Sequence, residues 1–189
     1  MIVISKEEFL ENSESFTKKI LDGAVFIYPT DTIYGIGCDA ANDSAVKRIR
    51  EIKQRDEKPF SIAVPSRAWI EENCEVNQTA IPYLNKLPGP YTLLLKLKKN
   101  SVSKFVTNTG IVGVRIPDNW FAKVIAGLAM PIVSTSANIT AQKHMSSMQN
   151  LHSDVANKVD FIIYEGEKSG SPSAIIDLTK ESPEIIKRG

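Results

Sequence analysis

Ala24-Val25-Phe26-Ile27-Tyr28, followed by Pro29-Thr30-Asp31-Thr32-Ile33-Tyr34-Gly35, is the stretch from which the fold is read. Its first five residues are apolar without alternation, as a strand covered on both faces of an α/β sheet requires. Pro29, which has no N–H to donate to a ladder, closes the strand. The hydroxyl-rich run behind it, Pro29 to Gly37, stands where open α/β sheets collect ligands, at a strand end whose loop turns side chains and N–H groups inward. The other reading of the run is a capped turn in which Asp31 and the threonines satisfy loop backbone. At this level both stay open.

Outward from this stretch, strand-like and helix-like segments alternate, which favours an α/β layer architecture. Ser5 with Glu8 has the form of a capping box, predicting a helix through Leu21 that stops at Gly23. From Asp43 to Gln54, Ala45, Ile49 and Ile52 recur at helical spacing, so a helix there delivers Lys53 and Arg55 at its C-terminal end. Further strands are predicted at Phe60–Val64, Thr92–Leu97, Ile111–Ile116, Pro131–Ser134, Phe161–Tyr164, Ala174–Leu178 and Glu184–Lys187. Further helices are predicted at Thr79–Leu87, Asn119–Ala129 and Ser147–Lys158, the last with Met148, Leu151, Val155 and Val159 on one face. Pro88-Gly89-Pro90 reads as a turn within the domain. With no linker, repeat or low-complexity run, residues 1–189 read as one α/β domain built on a twisted mixed sheet.

Three further features carry chemistry. Ser134-Thr135-Ser136-Ala137-Asn138 ends another apolar strand in hydroxyls and an amide, groups that bind phosphate or carboxylate oxygens or else cap a helix. Lys53-Gln54-Arg55 places an ammonium and a guanidinium two residues apart, a pair suited to an anion. It lies in a basic stretch, where Lys47, Arg48, Arg50, Lys53, Arg55 and Lys58 outnumber Glu51, Asp56 and Glu57. Such a run is also what a solvated helix face looks like. Arg115 differs in kind, because it interrupts the apolar run Ile111-Val112-Gly113-Val114-Arg115-Ile116. An arginine there either reaches solvent at the strand's end or is paired, and a buried one wants an anion, which favours a ligand-facing side chain.

Other chemistries are excluded or disfavoured. Gly35-x-Gly37 is half of a dinucleotide fingerprint, and the chain contains no G-x-x-x-x-G-K-[ST] phosphate loop. His144 and His152 have no partner at metal-ligand spacing, so no metal site is predicted. Cys38 and Cys74 are too few for a disulfide framework and point to a reducing, cytosolic setting. The N-terminus turns acidic at Glu7-Glu8, too soon for a secretory signal, and no apolar run approaches a membrane span. A cytoplasmic protein that does not meet the membrane is expected. The formal net charge of +1 gives no global pull toward nucleic acid, although a local cleft can still be basic.

Taken together, these residues resemble the YrdC/Sua5 family. The likeness lies in the P-T-[DE]-T-x-Y-G pattern at Pro29–Gly35, the K-x-R at Lys53–Arg55 and the S-x-N at Ser136–Asn138. It continues at Pro88-Gly89-Pro90-Tyr91-Thr92, Val114-Arg115-Ile116-Pro117 and Ser173-Ala174-Ile175-Ile176-Asp177, in the same order and over nearly the whole chain. The resemblance implies a YrdC-like α/β domain with a basic concave cleft. The implied activity is that of an L-threonylcarbamoyladenylate synthase, which joins L-threonine, bicarbonate or CO2 and ATP and releases pyrophosphate. Its product feeds N6-threonylcarbamoyladenosine formation at position 37 of tRNA, through a tRNA-modifying protein complex.

By the same resemblance, Thr32, Arg115 and Ser173 would contact L-threonine. Lys53, Arg55, Lys58, Ser134, Ser136, Asn138 and Arg188 would contact ATP, with Lys53 and Arg55 as the catalytic cations and Mg²⁺ carried mainly on the ATP phosphates. Ala63 stands where some relatives place a threonine-contacting histidine. Lys53 and Arg55 are expected as exposed cleft charges, so that removing either lowers turnover far more than stability. The rival readings are a YrdC-like module that binds double-stranded RNA or tRNA, and a paralogue without synthase activity. Against the RNA reading, only 7% of residues are aromatic and no base-stacking pattern is present.

Overall fold

The computed structural model describes residues 2–55 and 57–186. The N-terminal strand β1 (Ile2–Ile4) leads into α1 (Lys6–Glu11) and α2 (Ser13–Leu21). The capping box forms: the Ser5 hydroxyl accepts from the Glu8 N–H, and the Glu8 carboxylate accepts from the Ser5 N–H. The single helix expected through Leu21 breaks at Asn12, whose backbone leaves the helical region (φ −111°, ψ 27°) and whose side-chain amide donates to the Glu8 carbonyl at 3.0 Å. This is the local competition for backbone groups that makes asparagine a poor mid-helix residue. Gly23 ends α2 with φ +91°.

The remaining elements are β2 (Phe26–Pro29), β3 (Tyr34–Gly37), α3 (Asp43–Lys53), β4 (Ser61–Ala63), α4 (Arg67–Asn73), α5 (Ile81–Leu84), β5 (Tyr91–Lys96), β6 (Ile111–Arg115), α6 (Phe121–Leu128), β7 (Ile132–Ser136), α7 (Ser153–Ala156), β8 (Phe161–Ile163), β9 (Ala174–Asp177) and β10 (Glu184–Ile186). The predicted strands appear with ends shifted by one or two residues, and Lys187 lies outside the described residues. The helix predicted over Thr79–Leu87 contracts to α5. The one predicted over Ser147–Lys158 splits into a 3₁₀ turn at Met148–Asn150 and α7, because Leu151 and His152 are extended and the His152 ring caps α7 by accepting from the Asp154 N–H. Met148, Leu151, Val155 and Val159 still pack on one core. The elements β1, β3 and α4 were not expected. In β3 the two glycines mask the strand, and Gly37 is there for space: a Cβ would lie 2.8 Å from the Tyr28 ring and 2.9 Å from Ile132.

The strands form one mixed sheet in the order β1-β8-β2-β3-β7-β4-β6-β5-β9-β10. The strand β7 joins its two halves, running antiparallel to β3 on one side and to β4 on the other. The register sorts side chains to two faces. Ile27, Ile36, Val133, Ile62, Val114, Leu93 and Ile176 point to one face and pack under α3, α4, α5 and α7. On the other, α1, α2 and α6 cover Phe26, Phe161, Ile163, Ile132 and Ala63. Phe26 stacks on Phe161 at 5.1 Å and 4°, in a cluster that includes Phe9, Phe16 and Phe121. Each such ring contributes roughly 1.5–3 kcal/mol by burial.

This second face changes character along the strands. The rows Tyr28–Gly35–Ser136 and Ser134–Ser61–Gly113 are in register on the same side, next to Ala63–Arg115. Beyond Tyr28, which still packs on Phe121 of α6, small and hydroxylated side chains replace aromatic ones there. A cleft is the result.

Candidate functional site

Thr30, Thr32, Ile33, Tyr34 and Gly35 form one wall of the cleft, and Ser134, Thr135 and Ser136 another. Arg115, Thr92 and Ser61 come from the sheet, Arg55 and Pro59 from the loop after α3, and Pro172 and Ser173 from the segment before β9. Its volume is about 100 Å³. Sites for drug-sized ligands run to roughly 300 Å³ and more, so this space suits one small polar molecule, with anything larger extending outward past Arg55.

The β2–β3 loop is built from its own hydroxyls. The Thr30 hydroxyl donates to the Ile33 carbonyl at 2.7 Å, accepts from the Thr32 N–H, and lies 2.9 Å from the Thr32 hydroxyl. The capped-turn reading therefore holds for Thr30, while Asp31 and Thr32 turn toward Arg115. Arg115 is 5% exposed; its Nη2 donates to the Asp31 carboxylate and sits 3.5 Å from the Thr32 hydroxyl. The buried strand arginine thus has a protein anion and lines the cleft as well. Behind it, burial pushes the Tyr28 phenol up to about 12, keeping it a neutral hydroxyl.

The K-x-R segment divides its two cations. The helix α3 ends at Lys53, and Gln54 takes a left-handed conformation (φ 49°, ψ 50°) that turns the chain. Lys53 points inward and is 2% exposed. Its ammonium donates to the Ser136 carbonyl (2.6 Å), the Asn138 carbonyl (2.8 Å) and the Asn138 side-chain oxygen (3.1 Å). The same amide oxygen accepts from the Ser136 hydroxyl at 2.5 Å, and the Asn138 amide donates to the Gln142 carbonyl. Burial, with the Arg55 charge beside it, pulls Lys53 down to about 7. The expectation of an exposed lysine is thus corrected, because the end of β7 and the polar loop after it supply three acceptors that draw it beneath the cleft floor. Arg55 emerges past Gln54, lies over the Phe60 ring, and donates to the Lys58 and Pro59 carbonyls.

Of the residues singled out from sequence, Thr32, Arg55, Arg115, Ser134, Ser136 and Ser173 line the cleft. Lys53 and Asn138 lie immediately beneath it. Lys58 is exposed on the loop after Arg55 and is not among the lining residues, although its carbonyl accepts from Arg55, and Arg188 lies outside the described residues. Sequence reasoning passed over Ser61 and Thr92. Each is a hydroxyl inside an apolar strand run, which was the available signal, and Thr92 bonds to Ser173 at 2.7 Å. Apart from Ser173, it also passed over the segment 165–172, which leads into the cleft lining at Pro172. Tyr34 holds that segment by accepting from the Glu165 N–H and donating to the Gly166 carbonyl, and Gly170 packs directly on the Thr32 backbone.

Comparison with known proteins gives this arrangement a family. The Sua5/YciO/YrdC family model, described as "Telomere recombination", matches residues 18–189. The chain belongs to the Sua5/YciO/YrdC family. A putative threonylcarbamoyl-AMP synthase of Methanocaldococcus jannaschii is 35% identical over 189 residues, covering 98% of this chain and 89% of that protein. The threonylcarbamoyl-AMP synthase of Pyrococcus abyssi is 34% identical over 176 residues, covering 90% of this chain and 52% of that protein. Among solved structures, Pyrococcus abyssi Sua5 complexed with L-threonine superposes with a TM-score of 0.83 at 30% identity, over 98% of this chain. Escherichia coli YciO superposes with a TM-score of 0.84 at 25% identity, over 100% of this chain and 94% of its own. The chain spans 56% of that Sua5 chain, so it matches the Sua5 type over little more than half its length. Among the described residues, no helix is long and apolar enough to cross a membrane.

Proposed function

We propose that this Sua5/YciO/YrdC member is an L-threonylcarbamoyladenylate synthase, forming threonylcarbamoyl-AMP and pyrophosphate from L-threonine, bicarbonate or CO2, and ATP. The observation that carries the reading is a small hydroxyl-lined cleft with a buried arginine at its inner wall, in a chain that superposes on an L-threonine-bound relative. In this reading Arg115 takes the threonine carboxylate with charge-assisted hydrogen bonds, and the Thr32 and Ser173 hydroxyls complete the seat. Ser134 and Ser136 face the ATP phosphates. Arg55 reaches them by exchanging the Lys58 and Pro59 carbonyls for phosphate oxygens. Asn138 and Lys53 hold that wall in place from below, and Lys58 and Arg188 add positive charge around the nucleotide.

The threonine amine adds to CO2, giving a carbamate and releasing one proton. A carbamate oxygen then bonds to the α-phosphorus of ATP as the bond between that phosphorus and the β-bridging oxygen breaks, so the electron pair leaves on pyrophosphate. Both reactants are anions, and fixed cations and hydroxyl donors around them lower the barrier more than proton transfer does. The cleft lining, with Asp31 committed to Arg115, does not fit a protein-held Mg²⁺. The ion enters as part of the MgATP substrate. The product is passed to a separate tRNA-modifying complex in the cytoplasm.

The test is to incubate pure protein with MgATP, bicarbonate and L-threonine and to measure pyrophosphate and the adenylate. Threonine-dependent formation of both is expected. ATP turnover that ignores threonine would sink the assignment. A second measurement probes the wall formed by Glu165–Ser173. A methyl group on Gly170 would sit 2.3 Å from the Thr32 carbonyl oxygen, so Gly170→Ala pushes this segment off the β2–β3 loop. The expected result is a KM for L-threonine raised by roughly an order of magnitude with KM for ATP little changed, the pattern of lost ground-state binding at one substrate. Equal change in both would show that the segment does not belong to the threonine seat.

A further inference from the structure

The Asp31–Arg115 pair raises a problem for any ligand that brings only a carboxylate. Both side chains are buried, and the guanidinium already has one carboxylate oxygen on Nη2. The second Asp31 oxygen, Oδ2, and the Arg115 Nε have no hydrogen-bond partner among the described residues. Tyr28 stands behind the pair as a neutral phenol, so it neither adds to nor offsets the charge. A second carboxylate on Arg115 would place two anions around one largely buried cation, where like charges repel more strongly than in bulk water. A ligand that carries its own ammonium removes that conflict, because it is neutral overall and its cation balances the extra carboxylate.

We propose that Asp31 makes the cleft select a zwitterionic α-amino acid over a plain carboxylate of the same shape. The proposal rests on the reading of the cleft as an L-threonine seat. Asp31 acts through Arg115: it neutralises the guanidinium before the substrate arrives, so net charge decides which ligand is accepted. Without Asp31, Arg115 is an uncompensated cation and favours any anion. Longer-range cations such as Arg55 pull the other way, favouring the anionic acid over the neutral zwitterion, so the preference for the amino acid has to come from a carboxylate as close as Asp31.

The experiment compares binding of L-threonine with that of 2,3-dihydroxybutanoate, the acid in which a hydroxyl replaces the amine, by calorimetry on the full chain without ATP. Wild type is expected to prefer L-threonine by at least roughly 30-fold, and Asp31→Asn to shrink that ratio about tenfold or more, mainly through tighter binding of the hydroxy acid. Asp31→Glu keeps the charge and should keep the wild-type ratio. Asp31→Ser is the parallel uncharged variant if Asp31→Asn does not fold. If both ligands weaken together and the ratio stands, Asp31 only positions the arginine and the proposal fails. Equal binding of both ligands by wild type overturns it as well. If wild type binds no L-threonine at all, the threonine reading itself falls, and this inference with it.

Discussion

Replacing Lys53 by methionine is expected to lower turnover by about 10²-fold and stability by about 2–4 kcal/mol. The stability loss separates this outcome from that of an exposed phosphate clamp. The ammonium satisfies two backbone carbonyls and one side-chain oxygen beneath the cleft floor. Methionine matches its length and leaves all three acceptors buried without a donor, a change that belongs among the costlier single substitutions. For a chain of this size the melting temperature should fall by roughly 5–15 °C. Activity falls because Ser136 and Asn138 no longer hold the wall that faces the nucleotide.

The deficit also depends on pH, with a definite sign. In the folded protein Lys53 is drawn down to about 7 from the ordinary lysine value of 10.5. Between those values the unfolded chain binds the proton more than the folded one does, so this group's contribution to stability grows as pH rises from about 7 to 10.5 and is smallest below 7. Methionine removes that slope. Denaturant unfolding at pH 6 and pH 9 should therefore show a larger gap between wild type and Lys53→Met at pH 9. A constant gap would mean that folding leaves the lysine's proton affinity unchanged, and a smaller one that its three acceptors hold it charged more strongly than burial discharges it.

Arg115→Met should cost about 3–5 kcal/mol of stability, because it leaves the Asp31 carboxylate buried without its cation. It should also weaken L-threonine binding by roughly 10²-fold, the size of losing a pair of charge-assisted hydrogen bonds. One double variant separates these losses. Asp31→Asn combined with Arg115→Met removes both charges, and more than half of the lost stability should return, since the penalty lies in the orphaned partner rather than in a missing attraction. Threonine affinity should stay low. Recovery of binding along with stability would mean that Arg115 is a structural ion and that the carboxylate seat lies elsewhere in the cleft.

How far these features could be read without coordinates depended on whether local rules or distant contacts decide them. The buried strand Phe26–Pro29, the capping box at Ser5 and the amphipathic α3 follow from patterns within a dozen residues, and they appear as read. Arg115 was legible as a buried arginine in need of an anion, because an apolar strand cannot hide a charge. Its partner was not, since Asp31 lies 84 residues away and nothing local separates a carboxylate that caps a loop from one that crosses to another strand. The β3 strand was hidden by Gly35 and Gly37, the second of which is required by the Tyr28 ring on the neighbouring strand. Lys53 was misread for a similar cause. A lysine at a helix end is usually solvated, and only the fold brings the carbonyls of a loop 83–85 residues distant over its ammonium.

Gln54 gives the two-residue spacing of the cations its meaning. With its left-handed backbone it separates two tethers: the lysine before it is fastened to the opposite loop, and the arginine after it is held by the Lys58 and Pro59 carbonyls. If Arg55 travels between the Pro59 carbonyl and a phosphate, it does so by turning about Gln54 while α3 and the loop after β7 stay still. The reach of the charge is then set by one residue's geometry rather than by the stiffness of the whole wall.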